Sequence, residues 1–162
     1  MKKNPELGVR SAKASDISRI LELECQMAEY HHKLDPSIWS KWNKNDPKIQ
    51  ALVRERWAKR KNTLLLVLLC NKEIVGYATF DIRAPGTTTV IKKLGYLEKL
   101  FVEKPYRKLG LGKKALQTGD IWFKKHGVHD IMLQVDIGNK VGVKTWQHLG
   151  FCTTRHVMRR KI

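Results

Sequence analysis

Residues Tyr96–Phe123 read YLEKLFVEKPYRKLGLGKKALQTGDIWF. A run with strand character, Gly95–Val102, meets a helix through the turn Arg107-Lys108-Leu109-Gly110-Leu111-Gly112. Glycine at 110 and 112 lets the backbone come close to a ligand and take positive φ, and the residues that follow begin a helix whose first N–H groups lack internal partners. Such a turn is an anion site, and here it reads as a cradle for a pyrophosphate. The helix is supported by Leu111, Ala115, Leu116, Gly119, Trp122 and Phe123, which share one face and leave the lysines on the other. His126-Gly127 supplies a basic last turn and a glycine stop. Taken alone, these residues also fit a plain strand–turn–helix with a glycine-rich corner, so the rest of the chain has to decide.

Upstream, Val9–Ala12 is expected to be a short first strand, and Ser15 or Asp16 can cap a helix that carries Ile17, Ile20, Leu21, Leu23, Met27 and Ala28 toward a core. That helix should fade near Lys33-Leu34-Asp35-Pro36, and a second is expected over Pro47–Lys59. Leu64–Cys70 and Ile74–Arg83 read as strands joined by a tight hairpin at Asn71-Lys72-Glu73, followed by the loop Ala84–Lys93. Downstream of the cradle helix come a short strand Ile131–Val135, a helix Asn139–Leu149 ended by Gly150, and a closing strand Phe151–Arg160. Strands first, then a strand–helix–strand–helix–strand half, imply an α/β (mixed α+β) fold with helices flanking a mixed sheet.

With 162 residues and 42% hydrophobic content, the chain has material for one domain, 1–162, with one core. It shows no repeat, low-complexity tract or Pro/Gly/Ser linker. The longest apolar run, Leu64 to Cys70, is far short of a membrane span, and Met1-Lys2-Lys3-Asn4 is not followed by the apolar core of a signal peptide, so a cytoplasmic protein without membrane contact is expected. Cys25, Cys70 and Cys152 are widely spaced, odd in number and set in apolar-patterned segments. They suggest neither disulfides nor a metal site, and buried, inert thiols are expected.

Lys and Arg number 32 against 15 Asp and Glu, an excess of +17. The excess is grouped in Lys41–Lys61 (Lys41, Lys44, Lys48, Arg54, Arg56, Lys59, Arg60 and Lys61, interleaved with Trp42 and Trp57) and in Arg155–Lys161. Grouping of this kind is what a footprint on nucleic acid or another polyanion looks like. It is equally what a solvated basic surface that recruits an anionic cofactor looks like, and no base-reading motif accompanies it.

The cradle resembles the core motif of the GNAT superfamily of acyl-CoA-dependent N-acetyltransferases: Gln or Arg, two residues, Gly, one residue, then Gly or Ala. The resemblance extends to VRSAKASDISRILEL, which is similar to that family's first strand and helix, and to Asn139 with Trp146-Gln147-His148-Leu149-Gly150-Phe151, which is similar to its fourth-helix block. It implies a GNAT fold, with a central, mostly antiparallel sheet of six to seven strands flanked by about four helices. The implied co-substrate is acetyl-CoA with no metal, and the implied reaction is acetyl transfer to a primary amine by direct attack in a ternary complex.

Carried over residue by residue, the resemblance puts the pyrophosphate on the backbone of Arg107, Lys108, Leu109, Gly110, Leu111, Gly112 and Lys113. The pantetheine arm lies along the strand at Leu100, Phe101 and Val102, with a backbone N–H of that strand as oxyanion donor. Arg107 has two readings, a guanidinium on phosphate or a side chain that braces the loop; the second is favoured. Asn139 matches a position that contacts the pantetheine arm, and it is also an ordinary helix N-cap.

Glu98 is the candidate base. On an alternating strand it shares a face with Tyr96, Leu100 and Val102, where a carboxylate is otherwise out of place. The string YLE, two residues, FV, then YR resembles the polyamine-acetylating branch, in which a glutamate at this position is assigned to amine deprotonation. The competing reading is a Glu paired with a cross-strand Lys or Arg.

The family commonly carries a tyrosine on the fourth helix as acid toward the CoA thiolate, and that position here is Trp146. An indole N–H donates a hydrogen bond but is no acid near neutral pH, so Trp146 is expected only as a wall for the thioester end. Tyr30-His31-His32, Asp35, Trp39 and Trp42 could shape an amine pocket or simply pack.

Three function classes follow from these residues: the acetyltransferase, a catalytically weakened acyl-CoA-binding sensor, and a basic RNA- or ribosome-associated module. The acceptor is left open between a small-molecule amine and a peptide amine, and a homodimer is left open too.

Overall fold

The computed structural model describes residues 4–58, 60–87 and 89–162. Five strands occur among them: β1 Leu7–Ser11, β2 Thr63–Cys70, β3 Glu73–Arg83, β4 Leu94–Val102 and β5 Ile131–Met132. Four α-helices accompany them: α1 Ile17–Leu34, α2 Pro47–Ala58, α3 Leu111–Lys125 and α4 Lys140–His148. Lys59, where α2 is expected to end, lies outside the described residues, as do Met1, Lys2 and Lys3. The strands form one sheet in the order β1-β2-β3-β4-β5, antiparallel except for the parallel pair β4–β5.

The β2–β3 hairpin turns through Asn71 and Lys72, both at positive φ (49° and 69°). This is the twist a two-residue hairpin needs, with Asn the residue that tolerates it best. Asp16 stands at the N-cap position of α1, but its side chain does not cap the helix. The carboxylate turns back to accept bidentate bonds from Arg10 (2.6 and 3.1 Å) and one from the Lys13 N–H (2.7 Å), tying the end of β1 to the start of α1. Arg10 holds its carboxyl below the usual range for an aspartate.

Apolar side chains cover both faces of the sheet. On one, Leu66, Ala78, Phe80 and Leu97 pack beneath Leu111, Ala115, Leu116 and Phe123 of α3. On the other, Val67, Tyr77 and Phe101 pack against Ile20 and Leu23 of α1 and Val53 of α2. The expected face of the cradle helix is therefore the buried one, with Trp122 only half-buried at its margin.

Three expectations need correction. The sheet has five strands among the described residues, not six or seven: β5 is only Ile131–Met132 rather than Ile131–Val135, and Phe151–Arg160 pairs with nothing. Once β5 leaves the ladder there is no long edge for a closing strand to join, and residues 152–162 form neither helix nor strand and are exposed. The thiols also differ, because only Cys70 is buried while Cys25 is half-buried and Cys152 exposed. Third, the alternation of β4 breaks at Glu98.

Candidate functional site

The break is a β-bulge. Thr79 faces Lys99 and Phe80 faces Leu97, so Glu98 is the extra residue on β4. An inserted residue shifts the alternation by one, so side chains before and after it change faces. Leu97 lies on the α3 side, and so do Leu100 and Val102 beyond the bulge, whereas Phe101 lies on the α1 side. Glu98 therefore does not share a face with Leu100 and Val102. Its carboxylate pairs with Arg83, the residue at the end of the neighbouring strand, and the Arg83 guanidinium also stacks 4.0 Å over the Tyr96 ring. The cross-strand ion pair is thus present.

Beyond the bulge, β4 has a free edge. The parallel ladder to β5 consists of Gly95 with Ile131 and Tyr96 with Met132, and stops there. The Glu103 N–H donates to the Val75 carbonyl at 2.9 Å, which fixes the phase of the antiparallel ladder. By alternation, Phe101 and Lys99 bond toward β3, while the N–H and C=O groups of Leu100 and Val102 point to the open side. Arg107 uses that edge, its Nε donating to the Val102 carbonyl at 2.8 Å. Its side chain braces the loop, the favoured of its two expected roles.

The turn after β4 is built to leave donors exposed. A short 3₁₀ turn at Lys104–Tyr106 carries the chain past the sheet, then Lys108 (φ 65°) and Gly110 (φ 92°) take left-handed conformations that swing the next amides outward. Gly110 is the N-cap residue of α3 and contributes no capping side chain. The N–H groups of Lys108, Leu109, Gly110, Leu111, Gly112 and Lys113 have no acceptor among the described residues. A Cβ at Gly112 would meet only Leu100 Cδ2, at an ordinary 3.4 Å, so the chain's own packing does not demand glycine there.

Asn139 is the N-cap of α4, its Oδ1 accepting the Gly142 N–H at 2.9 Å. The same oxygen accepts the Tyr30 hydroxyl at 3.0 Å, which joins the end of α1 to the start of α4. Arg107 lies 5.8 Å from the Tyr30 ring centroid, so Tyr30 sits between the cradle and α4. Trp146 packs edge-on against Phe151, with ring centroids 5.8 Å apart, at the margin of the α3-side core.

On the α1 face, several side chains surround the bulge. Lys99 pairs with Glu24 of α1, which is only 2% exposed, and the Lys99 ammonium lies 5.1 Å from the centroid of Trp42. His31 packs on Trp39 with ring centroids 4.9 Å apart, and its buried Nδ1 has no hydrogen-bond partner among the described residues. Burial holds the His31 pKa below its ordinary value, with the Lys99 charge acting in the same direction and Asp136 opposing. Of the residues expected to shape an amine pocket, His31, Trp39 and Trp42 meet here. Tyr30 points to Asn139, His32 bonds the Trp39 carbonyl at 2.6 Å, and Asp35 accepts from Ser37. The Glu24–Lys99 pair was not anticipated from sequence. Its signal was present, because Glu24 falls at helical spacing from Ile17, Ile20 and Ala28 on the apolar stripe of α1. Among the described residues, no group of three or more His, Cys, Asp or Glu side chains could hold a metal ion, and no helix is long and apolar enough to cross a membrane.

A sequence model of the Acetyltransferase (GNAT) family matches residues 26–151. The chain is 29% identical over 65 residues to the N-alpha-acetyltransferase 30 of Schizosaccharomyces pombe, a match covering 40% of this chain and 43% of that relative's length. Among solved structures, a tetramutant of the BH1408 protein from Bacillus halodurans superposes with a TM-score of 0.84 at 20% identity, over 96% of this chain and 99% of that one. An aminoglycoside N-acetyltransferase, AAC(6')-Iy, in complex with CoA superposes with a TM-score of 0.76 at 16% identity, over 100% of this chain and 98% of that one. Both solved structures share the fold.

Proposed function

The chain belongs to the acetyltransferase (GNAT) family, and from that premise we propose that it transfers an acetyl group from acetyl-CoA to a primary amine by direct attack within a ternary complex. One observation carries this reading: the unpaired amides at residues 108–113 run on into the edge of β4 at Leu100 and Val102, which no neighbouring strand covers. A pyrophosphate followed by an amide-bearing arm has complementary groups in the same order. The relatives' names point the same way, toward aminoglycoside amines in one case and α-amines in the other.

When bound, acetyl-CoA supplies an activated carbonyl and a thiolate leaving group. The amides of residues 108–113 hold the phosphates, with Lys108 and Lys113 adding positive charge. Arg107 fixes the loop to β4 and leaves phosphate contact to the backbone. The free edge at Leu100 and Val102 accepts the arm as an added strand, and an N–H on that edge donates to the developing oxyanion. Glu98, on the bulge and paired with Arg83, is the base in this reading, taking the ammonium proton directly or through water. Trp146 cannot protonate the thiolate, but a thiol of pKa about 8.5 leaves tolerably without help.

The test has two parts. Calorimetry should detect acetyl-CoA binding. A thiol-release assay over polyamines, amino acids, aminoglycosides and peptide N-termini should then find at least one productive amine. Binding without turnover of any amine would refute the transfer step.

A further inference from the structure

A ligand held at residues 108–113 and laid along β4 runs from Val102 toward Tyr96, which brings its reactive end to the bulge at Glu98. The incoming amine must therefore arrive past the side chains around that bulge. The carboxylates nearby already have partners. Glu24 is paired with Lys99, and Glu98 with Arg83. Asp81 accepts the Thr63 hydroxyl at 2.8 Å and lies 3.7 Å from Arg83. Asp35 accepts the amide and hydroxyl of Ser37, Asp136 accepts the Gly138 N–H, and Glu22 bridges Arg19 and Lys44. At Glu22, Glu24, Asp81 and Glu98 a polycationic amine would have to break an ion pair, leaving one charge without its partner, and only Asp35 and Asp136 hold neutral donors alone.

The cations of the C-terminal segment are in the opposite situation. Arg155, Arg159, Arg160 and Lys161 are exposed, and none lies within ion-pair distance of a carboxylate among the described residues. The segment is not remote from the bulge. Arg159 donates to the Ser37 hydroxyl at 3.2 Å. Asp35 is held below its ordinary range chiefly by the Ser37 hydroxyl, with Arg159 and Lys161 adding to the effect. The bend at Asp35 bonds on to Trp39, whose N–H donates to the Asp35 carbonyl at 3.1 Å, and Trp39 stacks on His31. The basic segment thus rests on the same loop that walls the bulge.

We propose that the acceptor is the terminal amine of an acidic peptide, drawn in by Arg155, Arg159, Arg160 and Lys161 on the segment that leans on Ser37. This inference rests on the acetyl-transfer reading above. Arginine forks match peptide carboxylates, and the surface excess of +17 adds long-range attraction for an anionic carrier and repulsion for a polyamine. A peptide suits the segment better than a nucleic acid, because residues 152–162 contain no Phe, Trp or Tyr on which a base could stack.

The experiment uses the full chain, saturating acetyl-CoA and three acceptors: a peptide with Asp and Glu after its first residue, the matched peptide with Lys and Arg there, and spermidine. It is repeated on the variant Arg155→Gln, Arg159→Gln, Arg160→Gln, Lys161→Gln. We expect kcat/KM for the acidic peptide to exceed the basic one by about tenfold or more at low salt, mostly through KM, and to converge as salt rises. The variant should lose that preference while binding acetyl-CoA as before. Equal or faster turnover of the basic peptide or spermidine would overturn the proposal, as would a preference that survives in the variant. So would an RNA oligonucleotide that binds through these four residues while the peptides show no preference. Acetyl-CoA binding without transfer to any of the three acceptors overturns this inference alone, whereas failure to bind acetyl-CoA overturns the reading beneath it.

Discussion

Between β4 and α3 the exposed polar groups are backbone amides supplied by one short stretch, residues 108–113, whereas on the α1 face of the same strand the polar groups are side chains of Glu24, His31, Trp42, Arg83 and Lys99. The first region depends on local backbone conformation, with Lys108 and Gly110 at positive φ. The second depends on residues that are distant in the chain and meet only because α1 and the loop after it fold over the sheet. A backbone site offers one fixed chemistry, attraction for an anion, and tolerates most changes in side chain. A side-chain site can be retuned by single substitutions, and each buried charge in it has to be matched. In the proposed reaction the first region would take the co-substrate and the second the acceptor, with the bulge at Glu98 between them.

The sharpest way to break this contrast is to unmatch the acceptor side. Glu24→Leu removes the buried carboxylate facing Lys99 and should cost about 3 to 5 kcal/mol of stability, read as a lower urea midpoint. The joint change with Lys99→Met should restore much of that loss, since it removes both charges together. A single variant as stable as the original chain would mean that the pair is not matched in the way described.

Glu98→Gln probes the residue between the halves. Its expected effect is a fall of about a hundredfold in kcat with acetyl-CoA affinity unchanged, the usual size for a general base. Full turnover would leave Glu98 only as the cross-strand partner of Arg83 and would move the chemistry off the bulge. On the cradle side, Gly110→Val forces a β-branched residue to φ 92°, a strain of about 1 to 2 kcal/mol. Relieving that strain tilts the amides, so acetyl-CoA should bind about tenfold more weakly by calorimetry. Lys108→Ala should matter less, since alanine keeps a Cβ at the same left-handed φ of 65° and removes only the charge.

The smallest expected effect concerns pH. The folded His31 pKa lies below its ordinary 6.5 because the ring is buried. Well above 6.5 the imidazole is neutral in both states; as pH falls through that value the unfolded chain takes up the proton first, and stability is lost until the folded ring is protonated too. Unfolding midpoints of the original chain and of His31→Gln, compared from pH 7.5 to 5.5, should therefore diverge from their neutral-pH difference, with the original chain losing more. Parallel curves would place His31 in a more solvated setting than its buried Nδ1 indicates.

Much of this contrast follows legibility in the sequence. The cradle helix, the positive-φ glycine and the β2–β3 turn were all readable, because each is encoded within a few residues by periodicity or turn chemistry. The bulge was not readable, since the letters YLEKLFV alternate well enough to suggest an unbroken strand. An inserted residue is revealed only by what lies opposite, here Thr79 and Phe80. The closing strand at Phe151–Arg160 was misread for a related reason: strand propensity is a statement about fitting a pleated surface, and β5 stops too early to offer one. Asn139 and Arg107 each had two readings, even for Asn139 and leaning to the bracing role for Arg107, and the partners that sequence could not supply are Gly142 with Tyr30 for the one and the Val102 carbonyl for the other.

Amino-acid order alone therefore determined the helices, the α/β architecture and the glycine turn before α3, because these rest on backbone geometry and on apolar spacing, which are local. Only the tertiary structure decided which face Glu98 occupies, which charges are neutralised around it, and that the basic C-terminal segment leans on the loop after α1. Those outcomes depend on pairings across a sheet and between distant helices, where a charge takes its meaning from what stands opposite.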